Sequence, residues 1–279
     1  MQNVFLMMHQ MRSDIATLAG QVASALRSVG MTVCMEPWLR QAVGDLYTCE
    51  EQHFPMDVIV AVGGDGTLLR ATQTAITHDV PVLGINVGQI GFLVETELEN
   101  LTQACKRLRE DAYAIETRMM LDVTLPDGTV KTALNDVVLS RGGYARLIAV
   151  KASVENELVG RYIADGLIVS TPTGSTGYSL SAGGPIVCPE VECILLSPIC
   201  PHSLQHRPVI ANATQTITIE LDCAPGQPAQ LDVDGQKCGI LTGTQQVRIH
   251  RSNTEIKLIR FGAHSFFERI RAKLTQWSC

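Results

Sequence analysis

The feature that most restricts this chain is a change of hydrophobic rhythm in its middle. Up to about residue 112, short unbroken apolar runs alternate with helical spacings. NVFLMM (3–8), MTVCME (31–36), DVIVAV (57–62) and VPVLGIN (80–86) read as strands. Helices are predicted from Ser13 to Val29, from about Gly66 to Ile76, and from Leu98 to Arg109. Continuous β-branched runs between helices suit a parallel sheet covered on both faces, and repeated βα units wind it doubly. From Glu116 the period becomes two. MLDVTLPDGTVKTAL turns at Pro126-Asp127-Gly128, and LIAVKASVENELVG turns at Glu155-Asn156. The segments at 215–222, 229–236, 245–252 and 255–261 continue the pattern, and SFFERIRAKLTQW returns to helical spacing. The expected fold is therefore an α/β N-terminal domain (1–112) with a doubly wound, mostly parallel sheet. An all-β, sandwich-like domain (113–262) follows, and a C-terminal helix (263–279) returns to the first domain.

Composition narrows the function classes. Hydrophobic residues make up 46% of the 279 and charged residues 18%, which describes a soluble globular protein. No stretch approaches the roughly 20 apolar residues that cross a bilayer, and the N-terminus lacks the basic flank of a signal peptide. The nine cysteines are scattered singly, with no CxxC pair, so reduced thiols in a cytoplasmic protein are expected. A net charge of −6 argues against a nucleic-acid surface.

The predicted third strand runs into VAVGGDGTLLRA (60–71), where Gly63, Gly64 and Gly66 surround Asp65. A loop after a parallel strand lies at the sheet edge where open α/β folds bind ligands. Glycines there can take positive φ and admit a ligand to the backbone, and their amides cradle an anion at the helix start. The spacing fits neither a dinucleotide fingerprint, since Leu69 stands at the third glycine, nor a P-loop, since no Gly-Lys-Ser/Thr follows. An acid beside a phosphate cradle is unfavourable unless it holds a metal or accepts a proton from an attacking hydroxyl. The bland alternative is a tight strand–helix turn.

A second unusual segment, ADGLIVSTPTGSTGYSLSAGGPIV (164–187), packs hydroxyls and glycines after a strand and before a short helix near Tyr178 to Ala182. Small side chains with exposed amides and hydroxyls suit a ligand lying against the backbone. Together with GGDGT (63–67), NVGQIGFL (86–93) and LNDVVLSR (134–141), this segment resembles the NAD kinases. The likeness runs over nearly the whole chain. GGDGT alone is shared with lipid kinases, whereas TPTGSTGYSLSAGGP is far more specific.

The resemblance implies transfer of the γ-phosphate of ATP to the 2′-hydroxyl of the adenosine ribose of NAD, with Asp65 as proton acceptor and Gly66 and Arg70 beside it. It implies that Asn135 and Asp136 hold the adenosine moiety, and that Asp165 reaches the nicotinamide half. Thr173, Thr176, Gly177, Tyr178, Ser179, Leu180 and Ser181 form the wall around adenine and ribose. Arg146, Ile163 and Gln236 stand at further ligand-contacting positions. Three departures are visible. Asp136 is one methylene shorter than the glutamate of many members, Gln89 replaces a basic residue, and Ile163 replaces an arginine that Arg161 would have to supply. A homodimer or homotetramer is also implied, which free edges of a β-rich domain would suit.

Phosphoryl transfer from ATP calls for a divalent cation, Mg²⁺, and with no dedicated carboxylate cluster the ATP is expected to bring it. No protein-held metal site is expected. His202 and His206 have the spacing of a metal pair, but Pro201 and Pro208 confine any helix there, so a structural role is preferred. Cys188 and Cys193 read as core or near-surface thiols. Two other functions share parts of the pattern. A lipid kinase would keep GGDGT and need an acyl-chain site, and a non-catalytic dinucleotide sensor would keep the 164–187 wall without needing Asp65. No nucleic acid and no membrane partner is expected.

Overall fold

The computed structural model describes residues 1–9, 14–43, 49–88, 91–143, 146–222, 227–262 and 265–276. Gln89, Ser13 and Trp277, each named above, lie outside the described residues. The chain forms two compact units, Met1–Thr117 with Ile256–Cys279, and Arg118–Glu255. The division falls inside two long strands rather than in loops, which is why no compositional break marks it. Among the described residues no helix is long and apolar enough to cross a membrane.

The first unit contains β1 (Asn3–Met8), α1 (Ile15–Ser28), β2 (Thr32–Met35), α2 (Arg40–Val43), β3 (Val58–Gly63), α3 (Asp65–His78), β4 (Val82–Asn86), β5 (Thr96–Glu97) and α4 (Leu101–Arg109). Its strands pair in parallel in the order β2-β1-β3-β4, with β5 also on β4. All six residues of β3 are buried, as a strand covered on both faces requires. Helix α1 buries Leu18, Ala19, Val22, Ala23 and Leu26, one stripe at helical spacing. The expectation of reduced thiols fails for one pair. Cys34 on β2 and Cys49 are disulfide-bonded, their Cα atoms 5.9 Å apart, within the range a disulfide spans.

The second unit follows through β6 (Ala114–Thr124), β7 (Val130–Ala133), β8 (Asp136–Ser140), β9 (Ile148–Val154), β10 (Glu157–Ala164), β11 (Gly166–Ser170), α5 (Tyr178–Ser181), β12 (Cys193–Ile199), β13 (Val209–Asn212), β14 (Ile217–Leu221), β15 (Ala229–Val233), β16 (Gln236–Leu241) and β17 (Gln246–Arg260). The last described element is α6 (Phe266–Gln276), which belongs to the first unit. One antiparallel sheet has the order β10-β9-β14-β17, and the other β13-β12-β11-β8-β15-β16. Alternate residues of both meet in one core, with Val137, Leu139, Leu167, Val169 and Leu196 from one sheet and Val150, Ile217, Ile219 and Val247 from the other. The shared core explains the period-two pattern. Between β15 and β16 the chain turns on Asp234 and Gly235, both at positive φ (48° and 75°), the backbone of a tight primed hairpin.

Candidate active site

The acid of the GGDGT loop opens a helix. Gly64, extended at φ −99° and ψ −167°, caps α3, and Asp65 is its first residue, where the helix dipole favours negative charge. The Asp65 carboxylate accepts hydrogen bonds from the backbone N–H groups of Phe92 (2.8 Å, Oδ2) and Leu93 (3.0 Å, Oδ1). Gly91 lies so close that a Cβ there would fall 2.1 Å from Asp65 Oδ1. The glycines of the loop do not use positive φ as expected: none of Gly63, Gly64 and Gly66 has it. Gly63 is glycine for space instead, since a Cβ would stand 2.2 Å from Thr67 Oγ1. Gly66 is exposed with nothing within 4 Å of its Cβ position, so the face beside Asp65 is open. Arg70, one turn further along α3, ion-pairs with Glu36 and donates to the Met8 carbonyl (2.6 Å).

In the second unit the hydroxyl-rich segment sits on the entrance to β8. Gly174 is pressed against Asn135, and a Cβ there would lie 2.1 Å from the Asn135 carbonyl oxygen. Thr171 donates to that carbonyl through its N–H (2.9 Å) and to Leu134 through its hydroxyl (2.6 Å). The strand entrance is held from the other side by Asp234, whose carboxylate accepts the N–H groups of Leu134, Asn135 and Asp136 at 2.7, 2.7 and 3.1 Å. Two buried side-chain oxygens in this region, Asn135 Oδ1 and Ser170 Oγ, have no hydrogen-bond partner among the described residues. Unpartnered buried acceptors at a strand entrance are what a ligand's donors would satisfy.

Asp136 is buried at 6% exposure. Burial first, then the charges of Asp234 and Asp232, push its carboxyl up to about 7. Thr173 accepts from buried Arg118 (3.2 Å), and Thr176 donates back to the Thr173 carbonyl. Gly177 caps the short α5, on which Tyr178 and Ser181 are exposed and Leu180 is half-buried. Burial and then the charges of Cys200, Asp165 and Asp136 raise the Tyr178 phenol, so these groups share one neighbourhood. Ser179 points the other way: it is fully buried, 2.8 Å from Ser197 Oγ, and its side chain faces no solvent. Asp165, between β10 and β11, ion-pairs with Arg141 at 2.6 Å. Ile163 and Arg146 are exposed, and Gln236 is exposed at the start of β16. Arg161 pairs with Asp222. His202 and His206 are on no helix, and His206 packs 4.7 Å from the Tyr162 ring. Among the described residues no three His, Cys, Asp or Glu side chains are grouped to hold a metal ion.

Residues 4–113 match the ATP-NAD kinase N-terminal domain, and residues 134–261 match the ATP-NAD kinase C-terminal domain. The chain belongs to the ATP-NAD kinase family. The NAD kinase of Geotalea daltonii is 37% identical over 263 residues, spanning 92% of each chain. That of Moorella thermoacetica is 38% identical over 281 residues, covering 99% of this chain and 90% of the relative. The fold matches a yeast NADH kinase solved with NADH at a TM-score of 0.85 and 27% identity, over 97% of this chain and 86% of that one. It matches an Archaeoglobus fulgidus NAD kinase solved with ATP at 0.76 and 26% identity, over 99% of both. The lipid-kinase and sensor alternatives fall with this assignment: the protein is an NAD kinase in family and in activity. Sequence reasoning missed the residues that hold the candidate groups in each unit: the amides of Phe92 and Leu93 around Asp65 in the first, and Asp234, Arg118 and Ser170 around the β8 entrance and the 173–181 segment in the second. Asp234 lies in a Asp-Gly pair between two alternating segments, the hairpin signal that could have found it.

Proposed function

We propose that this kinase makes NADP by using Asp65 to accept the proton of the ribose 2′-hydroxyl as that oxygen attacks the γ-phosphate of ATP, with the β8 entrance and the 173–181 segment holding NAD. The observation that supports the reading of Asp65 is its mounting. A carboxylate fixed by two amides at a helix start, beside an open glycine, is oriented without being sequestered. Phosphoryl transfer gains mostly from such positioning and from charge neutralisation. The attacking oxygen bonds to the γ-phosphorus while the bond from phosphorus to the bridging oxygen breaks, leaving ADP, and the hydroxyl proton passes to Asp65. The divalent cation, Mg²⁺, arrives on the ATP phosphates as part of that substrate.

Asn135, Asp136 and Tyr178 hold the adenosine half, Asp165 the nicotinamide half, and the amides around Gly177 the ribose. Gly66, Arg70, Arg146, Ile163 and Gln236 complete the contacts, and Ser179 contributes its backbone, its side chain being spent on Ser197. A homodimer or homotetramer in the cytoplasm, where both nucleotides occur, is the working assembly. Incubation with ATP, Mg²⁺ and NAD, followed by assay for NADP, tests the reaction, and omission of the metal tests its part. For the wall, Tyr178→Ala is expected to weaken NAD binding by about 1–3 kcal/mol, the range for aromatic–base stacking, while ATP affinity changes less. Calorimetric titration with each nucleotide measures both. Unchanged NAD affinity would remove Tyr178 from the wall.

A further inference from the structure

The two peptide groups that hold Asp65 are themselves held from their far side. Phe92 and Leu93 give their N–H groups to the Asp65 carboxylate. Their carbonyls point to two arginines: Phe92 O accepts from Arg269 Nη1 at 3.2 Å, and Leu93 O from Arg260 Nη1 at 2.8 Å. Arg269 Nη1 also reaches Val94 O at 3.1 Å. Both guanidiniums then converge on one carboxylate, Glu95, whose side chain has no exposure; Oε2 lies 2.6 Å from Arg269 Nη2 and 3.2 Å from Arg260 Nη1. Its other oxygen accepts the Phe261 N–H at 2.7 Å, and Arg260 also pairs with Glu116. A third contact comes from the same helix as Arg269, where Lys273 Nζ stands 4.4 Å over the Phe92 ring. All of these residues lie in the first unit.

An ion triad so deeply buried is an uncertain source of stability, because desolvation offsets the attraction. Its geometry is better explained by what it holds. We propose that Arg269, with Arg260 and Glu95, is a positioning residue for the proton acceptor: α6 and the end of β17 clamp the carbonyl side of Phe92–Val94 so that its amide side presents Asp65 at a fixed angle. The C-terminal helix is then part of the catalytic apparatus without touching substrate. The proposal rests on the reading of Asp65 given above.

The test is a double-mutant cycle on the full chain. Arg269→Lys keeps a positive charge for Glu95, but a single ammonium cannot bond two carbonyls and a carboxylate in the same plane. It is expected to lower kcat on the order of ten- to a hundred-fold, the scale of a small displacement of a reacting group, with KM for NAD nearly unchanged. In an Asp65→Asn background the same substitution should lower the residual rate little further, because its target is gone. Lys273→Met removes only the cation over Phe92, leaves the triad intact, and should lower kcat a few-fold; it carries the test if Arg269→Lys does not fold. Equal losses in both backgrounds, or a loss confined to KM, would overturn the clamp while leaving Asp65 as the base. Full turnover in Asp65→Asn alone would overturn both readings at once.

Discussion

Asp65→Asn is expected to lower turnover by about 10²–10⁴-fold, the usual contribution of a positioned general base. NAD binding should survive, because Asp65 is proposed only as the proton acceptor and the adenosine half of NAD is held by the β8 entrance and the 173–181 segment. The structure adds a second effect. Each carboxylate oxygen accepts one amide. An asparagine has one acceptor oxygen, so its NH₂ group must face the N–H of Phe92 or Leu93. One amide then goes unsatisfied, which lowers stability by about 1–3 kcal/mol. Loss of melting temperature is therefore common to the catalytic and the purely structural roles, and does not separate them. Turnover per folded, NAD-binding molecule does. A variant that binds NAD, melts a few degrees lower and turns over at the wild-type rate would show that Asp65 is only a helix-start residue.

How far the sequence reached can be judged at particular residues. The parallel strands and their helices were legible because their apolar runs are unbroken and flanked by helical stripes such as Leu18, Val22 and Leu26. The hairpins were legible from their turns. β12 was not: CILLSPI carries Pro198 within an apolar run, yet it pairs on both sides as an inner strand of its sheet. Disulfide pairing of Cys34 with Cys49 was equally invisible, since two single cysteines carry no spacing signal. Among the candidate functional residues, the residue types in GGDGT indicated a phosphate-handling turn and those in TPTGSTGY a nucleotide-handling segment. What they could not show is which atoms hold which. The glycines suggested unusual φ angles, whereas Gly63, Gly91 and Gly174 are glycine because Thr67, Asp65 and Asn135 leave no room for a Cβ. Contacts that join residues 92 to 269, or 134 to 234, depend on tertiary packing and leave no local pattern.

Asp136 gives the other large effect, and it is a matter of pH. Its carboxyl is raised from 3.8 to about 7, by burial and then by Asp234 and Asp232. Asp234 is raised as well, its burial outweighing the three amides that oppose it. A carboxyl whose pKa is higher in the folded state binds its proton more tightly there, so its contribution to stability is greatest below the unfolded value. That contribution is lost as pH climbs from about 4 to about 7 and is constant above. About three units at 1.36 kcal/mol each make the loss on the order of 4 kcal/mol. Asparagine cannot ionise. Asp136→Asn is therefore expected to match the wild type in stability near pH 4 and to exceed it increasingly up to pH 7. For NAD the sign reverses. If the ionised carboxylate accepts a ribose hydroxyl, wild-type KM for NAD should rise as pH falls through about 7. Asp136→Asn should show a raised, flat KM, having lost a charge-assisted bond of about 1.5–3 kcal/mol. Denaturant melts and NAD kinetics at pH 5, 6, 7 and 8 on both proteins measure the two effects together. A variant more stable at pH 8 but with wild-type KM would make Asp136 a strained core acid and move the ribose contact elsewhere. Parallel stability profiles would show instead that the carboxyl is already solvated and ionised at neutral pH.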